Sequence, residues 1–431
     1  MRYNILFTLF LCIAGESLTF GQGISFFNGT QEEAFLKAKE ENKLVFMDFY
    51  ADWCVPCKEM AKIVFTDSLV GEYLNAKFIC MKVNTEKAEN KSIVKKYKVS
   101  AMPTLVFANF EGKAIAVKVG AMEVEEFLKE AKIAAGDEMS FNDLFDQLKY
   151  SPNDLALMQK VLQEAPSFVG AQEGLDAEKW IVRVEKVYKS YIDKKMGAEL
   201  INKADFRIIR AFHQFGTPGD KLAEFMNANL EAFMTNVGRS TAAVLIEHNN
   251  KIIEDFARAG KEEYHKYLDR IKGDMKLAYS IMPERNMSAY DRSKCYYDAE
   301  YCVYSQKDAA KYVELMNSYL KAMGDDVSAV DYGGAAQTMY NATEGKIPTE
   351  LHQQATVWLI KALQFKDIAP MNKVNLLVML GDSFKAMKEY NKSKEYYNQG
   401  YMESLQIEEG YTKMSMQMTI KRKLSALELL E

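Results

Sequence analysis

Cys54 and Cys57 stand three apart at a junction that leaves few folds open. Before them runs Leu44-Val45-Phe46-Met47, short, continuous and apolar, the mark of a buried strand. After them runs Lys58 to Val64, with apolar residues at helical spacing. The pair therefore sits where a strand hands over to a helix. A helix start presents unpaired N–H groups and the positive end of a dipole. Both favour an anion, here the Cys54 thiolate, and such a setting lowers a thiol pKa from about 8.5 into the range of roughly 3.5–7.5. Cys57, one turn on, can close a ring with it. Zinc is the rival reading, but zinc sites of this kind need a second pair of ligands. No second C-x-x-C and no H-x-x-H occurs in the sequence, so no metal site is expected.

The flanking order is strand, helix, strand, then hairpin and helix. Thr30-Gln31-Glu32-Glu33 has the form of a capping box. The strand Lys43–Tyr50 and the Cys57 helix follow. A short helix is expected over Asp67–Leu74, a strand over Phe78–Val83 and a helix over Lys91–Tyr97. Ala101-Met102-Pro103-Thr104 leads into a strand Leu105–Ala108, Glu111-Gly112 signals a turn into Ala114–Val119, and Val124–Ile133 closes the unit.

From about Phe26 to Ile133 the chain resembles the thioredoxin family. The Cys54-Val55-Pro56-Cys57 motif carries the resemblance, with Asp48, Lys82, Met102-Pro103-Thr104 and Gly120 in register. The run from Phe65 through Asn84 is similar to a periplasmic reductase branch, the C-terminal domain of the transmembrane reductant conductor. The resemblance implies that Cys54 attacks a substrate disulfide and Cys57 resolves the mixed disulfide. It gives Asp48 the role of the buried carboxylate that accepts and returns the Cys57 proton, with Lys82 as its charge partner. Burial among Val45, Phe46 and Phe49 would raise the Asp48 pKa toward neutrality. Pro103 matches the family's cis-proline, which leaves the Met102 backbone free to pair with a substrate strand. Trp53, Met102, Pro103 and Thr104 form the expected substrate-binding set. No cofactor is expected beyond the Cys54–Cys57 disulfide. Val55-Pro56 differs from the family's commonest Gly-Pro, which leaves the potential, and with it the direction of reaction, open; an oxidase or isomerase is the alternative to a reductase.

At 431 residues the chain should hold more than one domain. Apolar residues at 48% indicate a well-buried globular protein, and a net charge of −5 with no basic stripe argues against a nucleic-acid partner. Arg2, the apolar run Ile5 to Ala14 and the small residues Gly15, Ser17, Gly21 and Gly23 read as a cleaved export signal. The run is too short to span a bilayer, which takes about 20 residues. Cys12 allows a lipoprotein alternative, and an uncleaved membrane anchor is another. The expected location is periplasmic or secreted.

Past Ala134-Ala135-Gly136-Asp137-Glu138, a polar linker candidate, strand signals vanish. Ser151-Pro152-Asn153-Asp154 marks a helix start with proline in the first turn. The spacing predicts about a dozen helices to the C-terminus. Leu377, Leu380, Gly381, Phe384, Tyr390, Ser393, Tyr397 and Gly400 fit the tetratricopeptide pattern, and Ala355, Leu359 and Ala362 repeat its second-helix part. An irregular helical bundle is the alternative. The expected organisation is a signal at 1–22, a thioredoxin-like α/β domain at 23–135 and an all-α domain at 140–431, tetratricopeptide-like at about 350–405. Expected partners are protein disulfide substrates, an upstream thiol donor such as a membrane reductase, and a peptide or protein ligand of the helical domain. A competing reading makes that helical part the main binding module and the redox domain its accessory. Cys80, Cys295 and Cys302 read as free thiols. Seven residues along one helix put the last two about 10.5 Å apart, too far to bridge. His213, His248, His265 and His352 read as structural or surface residues.

Overall fold

A computed structural model of the protein describes residues 23–430, so the expected export signal lies outside the described residues. The chain divides into two compact units, with the boundary between Phe168 and Val169.

In the first unit, α1 (Gln31–Glu40) opens on the expected box. Thr30 Oγ1 accepts from the Glu33 N–H at 3.2 Å, and Glu33 Oε2 accepts from the Thr30 N–H at 2.7 Å. Then follow β1 (Leu44–Tyr50), α2 (Val55–Ile63), α3 (Ser68–Lys77), β2 (Phe78–Asn84), α4 (Lys91–Lys96), β3 (Thr104–Ala108), β4 (Ala114–Val119) and α5 (Val124–Ala135). The sheet order is β2-β1-β3-β4. β1 runs parallel to β2 and antiparallel to β3, and β3 pairs with β4 antiparallel.

β1 lies between two strands and under helices on both faces, which is why its sequence is nearly unbroken in apolar residues. Successive side chains alternate in face. Phe46 packs with Phe65, Phe107 and Phe127 on one side, with ring centroids 5.1–6.0 Å apart. Val45, Met47 and Phe49 join the cluster on the other side with Ile79, Met81 and Val106. The β1–β2 register sets Asp48 opposite Lys82. Both therefore belong to the Phe46 face.

The compact unit runs past the expected linker at 136–138. Gly136 ends α5 at a φ of 77°, a left-handed cap suited to glycine. Asp137 is then tied back to α3 by the Tyr73 hydroxyl at 2.8 Å and by Lys77 at 2.8 Å. Two helices are added, α6 (Phe141–Gln147) and α7 (Leu155–Gly170). Phe141 and Phe168 stack at 4.1 Å, and Lys129 of α5 reaches Glu164 of α7 at 3.0 Å. Pro152 is not in a helical first turn as expected: α7 starts at Leu155, and Asp154 Oδ1 accepts from the Leu157 N–H at 3.0 Å.

The second unit is all helix. Of the twenty-one α-helices among the described residues, five precede residue 140 and sixteen follow, more than the dozen expected because several are only one or two turns long. One of its cores gathers Tyr312, Met316, Met339, Trp358, Leu359 and Leu380, all nearly fully buried. Glu300 is fully buried and held by Arg258 at 2.7 Å. The helices Pro370–Ala386 and Tyr390–Ser404 approach closely at Gly381, whose carbonyl accepts from the Ser393 hydroxyl at 2.8 Å. Cys295 and Cys302 share the helix Ala289–Tyr304 as free thiols, and Cys80 is a free buried thiol. Among the described residues no helix is long and apolar enough to cross a membrane.

Candidate functional site

Cys54 is the N-cap of α2, and Pro56 lies in the first turn. Proline suits this place, where an N–H would have no helical partner. Cys54 and Cys57 form a disulfide, with Cα atoms 5.4 Å apart. The Cys57 N–H donates to Cys54 Sγ at 3.2 Å, so the helix start already offers a hydrogen bond to that sulfur. Both sulfurs are nearly buried, packed with Ala51, Tyr50 and Met102.

The Met102–Pro103 peptide is cis, and Met102 borders the disulfide. The Pro103 carbonyl accepts from the Gly120 N–H at 2.9 Å. Thr104 is buried and its hydroxyl donates to the Ala101 carbonyl at 2.7 Å, so it secures the loop from behind. Trp53 is 63% exposed, and its indole N–H donates to Glu86 Oε1 at 2.9 Å. The Thr85 hydroxyl reaches the Met102 sulfur at 3.0 Å and the Tyr50 carbonyl at 3.2 Å. The turn after β2 thus braces both Trp53 and Met102. Thr85 and Glu86 escaped the sequence reading because they follow the strand without periodicity or motif.

Asp48 is 1% exposed. Its Oδ2 lies 3.8 Å from Lys82 Nζ, and Oδ1 has no hydrogen-bond partner. Burial pushes its carboxyl up to about 6, with the Lys82 charge pulling the other way. A cavity of about 140 Å³, lined by Tyr50, Ala51, Asp52, Cys57, Lys58, Ala61 and Lys82, joins Cys57 to that lysine. The structure therefore gathers Asp48, Lys82, Cys54, Cys57, Met102 and Pro103 around the carboxyl end of β1. Trp53 sits at the rim, and Thr104 supports the floor.

A family profile described as a thioredoxin-like domain matches residues 31–134. Residues 31–134 are a thioredoxin-like domain. The domain is of the thiol–disulfide oxidoreductase type, with Cys54–Cys57 as its redox disulfide. Over 95 residues it is 38% identical to the thiol:disulfide interchange protein DsbD of Yersinia pestis (strain Pestoides F), covering 21% of this chain and 16% of that one. It is 33% identical over 107 residues to DsbD of Ralstonia nicotianae, covering 24% of this chain and 18% of the relative. The match thus spans less than a fifth of the length of these curated relatives. A solution structure of a provisionally assigned disulphide-isomerase from Bacteroides thetaiotaomicron is 42% identical, over 27% of this chain and 98% of its own, with a TM-score of 0.26.

Burial pushes the Cys80 thiol well up, and the Cys295 and Cys302 thiols in the same direction, which disfavours their thiolates. His213 has a carboxylate partner that its sequence neighbours did not reveal, Asp220 at 2.7 Å across a loop. His248 and His352 are buried, and burial lowers both. No cluster of three or more His, Cys, Asp or Glu able to hold a metal occurs among the described residues.

Proposed function

We propose that the protein is an exported thiol–disulfide oxidoreductase that reduces protein disulfides. The observation that carries this is the Cys54–Cys57 disulfide at the start of α2, with the Met102–Pro103 loop on one side and the buried Asp48 behind. In the reduced enzyme the Cys54 thiolate, favoured by the helix start and the Cys57 N–H, attacks one sulfur of a substrate disulfide. A Cys54–substrate disulfide forms, and the other substrate sulfur leaves as a thiolate and takes a proton. Asp48 accepts the Cys57 proton by way of the adjoining cavity. The Cys57 thiolate then attacks Cys54 Sγ and displaces the second substrate thiolate, which takes the proton that Asp48 held. Two electrons have passed to the substrate, and the enzyme is left as the disulfide seen here. An upstream thiol donor restores the dithiol.

Met102, through its backbone, would pair with the substrate strand, and exposed Trp53 would offer it an apolar face. Cys54→Ser should abolish reduction of insulin-type disulfides; unchanged activity removes the proposal. The direction rests on the potential. A value near that of thioredoxin, about −270 mV, supports reduction, and one near about −120 mV supports oxidation.

A second reading concerns the helical unit. Gln337, Asn372 and Asn375 line a groove of about 300 Å³ between the helices Ala329–Ala342 and Pro370–Ala386. Side-chain amides can pair with an extended polypeptide backbone, so this groove is a seat for a peptide of a partner or substrate. A Cys57→Ser chain should trap substrates as mixed disulfides. Adding Asn372→Ala and Asn375→Ala should reduce that capture, and equal capture refutes a substrate role for the groove.

A further inference from the structure

Lys82 is held in an unusual way. Its side chain is about one-third exposed, at 34%, yet its ammonium lies among aromatic rings, 3.8 Å from Asp48 Oδ2. A lysine ammonium is strongly hydrated and its stem flexible, so an exposed one has little reason to stay in one place. Here the nitrogen lies 5.2 Å from the Phe26 ring centroid, 5.2 Å from Tyr50 and 5.8 Å from Phe65. Three aromatic faces around one cation replace part of its hydration by attraction to the ring quadrupoles.

The rings come from three places. Tyr50 is two residues beyond Asp48 on β1 and so on the same face. Phe65 follows α2 and is fixed in the core against Phe46 and Phe127. Phe26 arrives on an extended strap before α1. The strap is pinned by the Phe27 N–H to the Cys80 carbonyl at 2.7 Å and the Ile24 N–H to the Phe65 carbonyl at 2.7 Å. Asn75 Oδ1 accepts from the Ser25 N–H at 2.8 Å. A bridge sets Phe26 beside Cys80, two residues before Lys82 on β2. The Phe26 ring then meets Phe65 edge to face at 5.5 Å and closes the cage.

We infer that Phe26 is a positioning residue, which with Tyr50 and Phe65 holds the Lys82 ammonium beside the Asp48 carboxyl for the Cys57 proton transfer. The inference rests on the reading of Asp48 as the proton acceptor. It adds that the acceptor's strength is set by a residue of the strap, outside the strand, loop and helix that carry the chemistry. The other charged groups at this cavity are Asp52, on the turn after β1, and Lys58 on α2. Neither is altered in the test.

The test is titration of the Asp48 carboxyl in the oxidised full chain by carbon NMR of labelled aspartates, assigned by loss of the signal in Asp48→Asn. Phe26→Leu keeps an apolar side chain and the strap hydrogen bonds but removes the ring. It should move the Asp48 midpoint up by about half a pH unit. Lys82→Gln should move it up at least as far, and Phe26→Leu should add nothing on that background. Phe26→Tyr should restore the original midpoint. An equal Phe26→Leu shift with and without Lys82, or no shift with it, overturns the inference. The underlying reading fails separately: an unchanged pH–rate profile for disulfide reduction in Asp48→Asn removes Asp48 as acceptor, whatever the titration gives.

Discussion

Replacing Asp48 by asparagine should stabilise the first unit at neutral pH and leave its stability unchanged in acid. The carboxyl is 1% exposed, so bulk solvent screens little of its cost. Burial raises it from 3.8 to about 6. In the unfolded chain it releases its proton near 3.8, whereas the folded chain keeps it to about 6. Between these values the folded state holds the extra proton, so stability falls as pH rises. The favourable contribution is complete below 3.8, declines through this window and is absent above about 6. A difference of about two units at 1.36 kcal/mol each amounts to about 3 kcal/mol. Asparagine keeps the size and cannot ionise, so about 3 kcal/mol is the ceiling of the gain at pH 7.5. Amide hydrogen exchange in peptides from β1 and β3 reads this unit alone. The slowest amides should gain about two decades of protection at pH 7.5 and almost none at pH 3.5, after correction for intrinsic rates. An equal gain at both pH values, or a loss at pH 7.5, would show that the buried carboxylate carries no such cost. Disulfide reduction should fall in the same variant, since the group that destabilises the fold is the one proposed to accept the proton.

In the second unit, Gly381→Ala should cost about 1–3 kcal/mol. The added methyl would lie 2.3 Å from Tyr397 Cε1, and that ring is anchored through its hydroxyl to Asp382 at 2.6 Å. Faster exchange or proteolysis confined to Pro370–Ser404 is the expected readout, and no change would refute it. Arg258→Met leaves the buried Glu300 carboxyl without its cation and should cost about 3–5 kcal/mol. Burial already raises Glu300, so the loss should be largest in alkali and relieved as the pH falls and the carboxyl takes a proton. A thermal midpoint lowered equally at pH 5 and pH 8 would contradict this.

The strands and helices of the first unit were legible because their apolar residues are consecutive or periodic. Thr30 and Glu33 announced α1, and β4 has the expected limits. The cysteine motif marked the place of the disulfide, since a helix start brings residues three apart within bridging distance. What stayed hidden depends on partners distant in sequence. Nothing near Phe26 says that its ring will meet Lys82, and nothing near Glu86 says that it will accept from Trp53. Gly136 and Asp137 have the composition of a linker, but Tyr73 and Lys77 fasten them to α3. In the helical unit a long helix such as Gly174–Lys195 buries Val184, Tyr188, Tyr191 and Ile192 at helical spacing, while one-turn helices such as Lys276–Tyr279 are too short for any period to register.

The pairing of Asp48 with Lys82 follows from parity along β1. Even positions, Phe46, Asp48 and Tyr50, look toward α2, and odd positions, Val45, Met47 and Phe49, look away. One residue inserted before Asp48 would exchange the two sets, carrying the carboxyl to the far side and a phenylalanine or methionine toward the lysine. Insertions in this strand therefore displace the buried carboxyl and the core together, and evolutionary change at Asp48 is confined to substitution in place.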